Sequence, residues 1–406
     1  MTEAIPRRAA IGLASMMLVA IGPEPARDEP TPEPDRIVLT ATDDPATSQA
    51  VTWRTSADVV AAGVEVRPVA VNAVRSVEAE PTAEFVADGF GARSHTARLD
   101  DLSPGTTYTY RVGDGTRWSD WTEFTTAADT NEPFTFVYVG DAQTGLRTDW
   151  AALVERAVAD EPAARVWLHA GDLVNDPDSD AEWGAWFDGA APAARTAVML
   201  AAAGNHDQDG SRVSRHWRPQ FVFPANGPDG VPGETVYYVD YQGVRFVVLN
   251  SNVALQAQTA WLADALGPDP NPWTVVLFHH PVFSTAEHRD NPEVRDAWLD
   301  VLEEHDVDLV LQGHDHTYGR GQRSDNGPVY VVAVAGSTMY DLGDAEQTWG
   351  RHGATLQHAT EDQQSYQVID VDGDTLRYES RTLSGEVQDA FRIVTTAEGR
   401  RVVGGR

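Results

Sequence analysis

The chain has no cysteine and no lysine. Without cysteine it can form neither a disulfide nor a thiolate site, so any bound metal must take nitrogen and oxygen donors. All 30 basic residues are therefore arginine, set against 62 Asp and Glu, and the net charge is -32. Such an excess of negative charge repels phosphate backbones and anionic bilayers, which argues against a nucleic-acid-binding patch. The arginine-only usage reads as compositional bias and not as a functional feature. Long hydrophobic runs are also scarce. One apolar stretch, residues 9–21, follows Arg7 and Arg8. It is too short to span a bilayer and stands where an export signal stands. The paired arginines point to the twin-arginine route, with a Sec signal as the alternative. A secreted or cell-envelope protein is expected, with residues 1–34 as signal peptide and Pro/Glu-rich linker and no membrane span once the signal is removed.

Residues 35–128 read as all-β. Short alternating segments at 36–41, 50–55, 63–68, 94–99, 106–112 and 121–126 are separated by turn residues, and no helical period interrupts them. Strands at this density predict a sandwich. The run from Leu102 to Val112, with Tyr108 and Tyr110, resembles the tyrosine-corner segment of fibronectin type III domains, and Trp53 stands where those domains keep a core tryptophan. These features read as packing, so no chemistry is assigned to this domain.

From residue 133 to the end at 406 the texture changes. Apolar runs at 134–139, 166–170, 197–203, 244–249, 273–278 and 307–311 read as buried strands, with amphipathic helices between them at 150–159 and 292–305. The fold class is an α/β layered domain, two packed sheets flanked by helices. Hairpins are expected at Gln242-Gly243 and at Asp372-Gly373, with further β elements toward the C-terminus.

Five short motifs occur in order: Gly140-Asp141-Ala142-Gln143, Gly171-Asp172-Leu173-Val174-Asn175, Gly204-Asn205-His206-Asp207, His279-His280-Pro281 and Gly313-His314-Asp315-His316. Ligands of open α/β sheets bind beyond the carboxyl ends of strands, so polar segments placed there converge. Glycine ahead of each acid or amide permits a sharp exit and close backbone approach. Two Asp, one Asn and three His suit Fe, Mn, Zn or Co. A bridging carboxylate can hold two such cations together, which clamps a phosphoryl oxygen and acidifies a bound water.

This set resembles the calcineurin-like metallophosphoesterases. The preceding sandwich narrows the resemblance to relatives of the purple acid phosphatases, over residues 36–396. Carried over residue by residue, the resemblance implies two divalent or trivalent metal ions. Asp141 and His316 would bind the first and Asp172 would bridge. Asn205, His279 and His314 would bind the second. His279 is preferred to His280 because Pro281 sets a His-x-Pro register. His206 would face the phosphate, Asp207 would orient its ring, and His288 would be a further substrate-side group. Purple acid phosphatases place an iron-binding Tyr where this chain has Asn175, and members outside the purple group place a His where it has Gln143. Gln143, Asn175 or a water is left to complete the first site, and iron there is put in doubt. His169, just before Gly171, reads as a support for the ligands, Trp183 and Trp186 as core, and Tyr318 and Arg320 as structural. Asp176, Asp178 and Asp180 lack the spacing of a calcium loop. The implied activity is hydrolysis of small-molecule phosphomonoesters by metal-bound hydroxide. The alternatives are a phosphodiesterase on the same scaffold, or a secreted binding or adhesion protein with a decayed metal site.

Overall fold

The computed structural model describes residues 29–80, 84–87, 89–267, 270–396 and 399–404. The export signal expected before residue 29 lies outside the described residues.

The N-terminal part is a two-sheet β-sandwich. Asp35–Thr40, Gln49–Ser56, Phe90–Leu99 and Glu84–Ala87 lie in one sheet; Arg75–Glu78, Gly63–Pro68, Thr107–Gly113 and Thr122–Thr125 form the other. Alternation sets the core: Val64 and Val66 point inward with Trp53, Tyr110, Val112 and Phe124, while Glu65 between the valines pairs with Arg111 outside. The Tyr108 hydroxyl accepts a hydrogen bond from the Ser103 amide (2.8 Å), which ties the corner together. Arg75–Glu78 and Glu84–Ala87 were not legible in the sequence. They are four-residue edge strands, and Arg75–Glu78 buries no side chain, so neither imprints a period.

The second part is built on two face-to-face sheets. In the first, Phe134–Val139, Val166–His169 and Val198–Ala201 run parallel, and Ser365–Asp372, Thr375–Thr382, Val387–Thr396 and Gly399–Val403 extend it antiparallel. The second holds Tyr237–Tyr241, Val244–Val248, Trp273–Leu277, Leu309–Gln312, Val329–Val332, Tyr318–Gln322 and Thr355–Thr360, in that order. Alternate residues serve two cores. Val275 and Leu277 meet Phe136 and Phe246 between the sheets. Val276 and Val310 face outward under Trp298 and Leu302 of helix Pro292–Glu304 and Leu262 of helix Leu255–Leu266. Strands covered on both faces read as unbroken apolar runs, which is why these were the easiest to locate. Helices Ala151–Asp160 and Asp180–Ala194 cover the first sheet with Leu153, Trp183, Trp186 and Phe187. The C-terminal hairpin pairs Asp372 with Thr375, so its turn is Gly373-Asp374, one residue later than expected.

The two parts share a sheet. Thr40 pairs in parallel with Met199, so the sandwich strands continue the first sheet of the second part. Arg36 and Arg54 both reach Asp180 (2.8 and 2.9 Å), and Arg54 also holds Asp35 (2.6 Å). Asp180 thus caps a buried ion network across the junction.

Candidate metal centre

The five motifs leave the C-terminal ends of Phe134–Val139, Val166–His169, Val198–Ala201, Trp273–Leu277 and Leu309–Gln312. Asp141, Asp172, His314 and His316 all have positive φ, at 45°, 52°, 75° and 50°. Left-handed backbone at four non-glycine residues is local strain, on the order of 1 kcal/mol each, held in place by the surrounding sheet. Close approach explains two glycines. A Cβ on Gly204 would strike the amide and carboxylate of Asp172, and one on Gly313 would strike the Asp141 carboxylate.

Ligand atoms gather in two adjoining groups. Asp141, Asp172 and His316, all buried, each offer one atom within 4.8 Å of the others. In the second group His279 Nε2 lies 3.0 Å from Asn205 Oδ1, 3.2 Å from His314 Nδ1 and 3.2 Å from Asp172 Oδ2. Asp172 therefore belongs to both. Backbone amides steer the carboxylates: His314 N–H donates to Asp141 (2.7 Å to Oδ2) and His206 N–H to Asp172 Oδ1 (2.8 Å).

The donor set fits cations. His279 Nδ1–H donates to the Ala170 carbonyl (2.8 Å), so Nε2 carries the lone pair; His316 is set the same way by Thr338 O (2.9 Å). His279 Nε2 thus faces the oxygens of Asn205 and Asp172 lone pair to lone pair. Metal bonds of about 2.1 Å would place adjacent ligand atoms about 3.0 to 3.4 Å apart, the spacing seen. Without a cation a proton must fill the gap. Burial disfavours a charged His279, but the Asp172 carboxylate outweighs it and raises the imidazole to about 9. Burial pushes the Asp141 carboxyl well above its ordinary range, with the Asp172 charge adding to the rise. Gln143 is buried, its amide donates to Asp172 O (3.1 Å), and its side-chain Oε1 has no hydrogen-bond partner. A buried, unpartnered side-chain oxygen in the motif next to Asp141 suits a ligand of the first site.

Several expectations need correction. Asp207 does not orient His206. Its carboxylate accepts from Leu173 N (3.0 Å), Val174 N (3.4 Å) and Gly204 N (2.8 Å), binding two motif loops together. The His206 ring is held by Asn175, whose carbonyl accepts from Nδ1 at 2.8 Å. The contacts of Asn175 are main-chain ones, since its amide donates to Glu182 (2.7 Å) and the residue is exposed. His288 is 88% exposed in its side chain, lies 3.4 Å from Glu287 and makes no hydrogen bond or ion pair with the ligand residues. Its neighbour Arg289 turns inward instead, donating to His314 O (2.9 Å) and covering the Tyr340 ring, which stacks on His316. His169 is a core residue packed among Trp150, Trp167 and Trp186. Trp183 and Trp186 are core, and Tyr318 and Arg320 are structural, both bonded to buried Asp389.

Sequence reasoning missed Arg289 and Tyr340, which lie in loops without a motif. It also set aside His280, whose ring centroid lies 4.3 Å from that of His314 and whose Nδ1 meets Ser251 Oγ at 2.9 Å.

Two apolar-cored sheets that deliver Asp, Asn and His to one edge define a metallophosphoesterase architecture. Residues 34–126 match the purple acid phosphatase N-terminal domain, and residues 134–318 match the calcineurin-like phosphoesterases. The chain belongs to the calcineurin-like metallophosphoesterases, in the branch resembling purple acid phosphatases. It is 26% identical to purple acid phosphatase 15 of Arabidopsis thaliana over 59% of this chain and 52% of that one. It is 28% identical to purple acid phosphatase 22 of the same plant, over 61% and 59%. An uncharacterised protein of Mycobacterium tuberculosis is 28% identical over 56% and 50%. The chain thus spans 52 to 62% of the length of the plant relatives it matches first. The purple acid phosphatase PPD1 of yellow lupin shares the fold with a TM-score of 0.77 at 20% identity, over 89% of this chain and 74% of that one. PhoD shares it at 0.66 and 13% identity, over 91% and 92%.

Proposed function

We propose that this chain hydrolyses phosphomonoesters at a two-metal centre and is exported to the cell envelope or beyond. The observation that carries the hydrolase reading is Asp172, one carboxylate common to two adjacent ligand groups. Asp141, Asp172, His316 and Gln143 would hold one cation, and Asp172, Asn205, His279 and His314 the other. Bound there, two cations supply Lewis-acid stabilisation of a phosphoryl group and an acidified water. The protein's own part is to orient and to move a proton. Because the Asn175 carbonyl holds the Nδ1 proton of His206, Nε2 is the nitrogen left to carry a further proton, and as N–H it would donate to a phosphoryl oxygen or to the leaving oxygen. The relatives named as acid phosphatases support a phosphatase activity. Export is supported by Arg7, Arg8 and the apolar run after them.

Metal-reconstituted protein should turn over p-nitrophenyl phosphate faster than bis(p-nitrophenyl) phosphate. The reverse order would replace the monoesterase reading with a diesterase one. Fractionation of cells expressing the full chain should recover it outside the cytoplasm, and replacement of both Arg7 and Arg8 should retain it inside.

A further inference from the structure

Beside the second ligand group lies an open cavity of about 530 Å³. Asn205, Ser251, Asn252, His280, Asn291 and Glu293 are its polar lining residues. A volume of this size accommodates a small organic group. One part of its polar lining offers acceptors only. The Asn252 amide nitrogen is committed to Ala203 O and Asn250 Oδ1, and that of Asn291 to Pro281 O and Ser284 Oγ. Neither side-chain carbonyl oxygen accepts a hydrogen bond from the described residues. Glu293 is exposed at the rim and has no cationic partner among the described residues, and no arginine lines the cavity. Side-chain donors are confined to Asn205, Ser251 and His280, and the side formed by Asn252, Asn291 and Glu293 offers acceptors and negative charge, where a second phosphate would require donors and positive charge.

We infer that this cavity is the leaving-group pocket and selects phosphomonoesters of small hydroxyl- or ammonium-bearing alcohols over esters that carry a second phosphate. This rests on the phosphomonoesterase reading and deepens it. An alcohol with further hydroxyls or an ammonium group donates to the oxygens of Asn252 and Asn291 and to the Glu293 carboxylate. A second phosphate on that side meets Glu293 as a like charge and finds no donor on Asn252 or Asn291 to replace its lost water.

The test compares kcat/KM for four compounds on the metal-loaded full chain: p-nitrophenyl phosphate, glycerol phosphate, O-phosphoethanolamine and fructose 1,6-bisphosphate. Glycerol phosphate and O-phosphoethanolamine should exceed the bisphosphate by tenfold or more. Glu293→Gln should shrink the O-phosphoethanolamine-to-bisphosphate ratio at least fivefold with metal content unchanged. p-Nitrophenyl phosphate reports on the monoesterase reading alone, because its leaving group carries neither a donor nor a second phosphate. No turnover of it overturns that reading, and the pocket's role with it. Turnover of it together with a preference for the bisphosphate, or an unchanged ratio in Glu293→Gln, overturns the pocket assignment and leaves the monoesterase reading standing.

Discussion

His206 and His316 are both histidines of the site, yet their surroundings give them different work. His316 is buried, donates from Nδ1 to Thr338 and points Nε2 toward Asp141 at 3.5 Å. His206 is half-buried and held by the Asn175 carbonyl. His316→Ala should lower metal content together with activity, as read by elemental analysis. His206→Ala should keep its metal while kcat falls ~100- to 10,000-fold, the range for a lost general acid or base. If His206→Ala loses metal as His316→Ala does, the residue is a ligand and its assigned role is wrong. A second residue-scale prediction concerns colour. Where purple relatives place a tyrosinate on iron, this chain has Asn175, which cannot supply one. Iron-loaded protein should show no strong visible charge-transfer band, and a spectrum containing one would contradict the ligand set.

At the scale of elements, the centre depends on loops that almost touch. Asp207 ties the loop at Leu173 to the turn at Gly204, and the Gly204 backbone lies against Asp172. Gly204→Ala forces a Cβ into the shared ligand itself. The strand must shift, with overpacking costing about 1–3 kcal/mol. Thermal unfolding should show that loss and metal analysis a reduced occupancy. A variant with full metal and an unchanged midpoint would mean that the loop yields freely.

At the scale of the whole molecule, the ion network around Asp180 joins the sandwich to the part that carries the candidate metal centre. Asp180→Asn would leave buried Arg36 without its carboxylate beside Arg54, which keeps Asp35 alone, a loss of about 3–5 kcal/mol for a broken buried pair. The sign with pH follows from Asp180. Burial alone raises its carboxyl, but the charges of Arg36 and Arg54 outweigh it and hold the pKa below the ordinary value of 3.8. The carboxylate's stabilisation is therefore complete above that value and fades as pH falls through the lower folded-state pKa. The gap in unfolding midpoint between wild type and Asp180→Asn should be full at neutral pH and narrow only in strong acid. A gap that vanishes already near pH 6 would assign the effect to another group.

The local chemistry was written along the chain. Buried strands with both faces covered leave apolar runs, and each ligand motif sits at the end of one, so the fold class and the Asp, Asn and His set were readable. Backbone-mediated roles were not. Nothing in the residue types says that Asp207 spends its oxygens on three amides, that Asn175 offers its carbonyl, or that Arg289 turns inward while His288 turns out. The Asp180 network was likewise invisible, because its partners stand 126 and 144 residues away. Sequence determines which donors are available and roughly where strands release them. Loop conformation and long-range pairing, set by packing between sheets, decide which atoms meet.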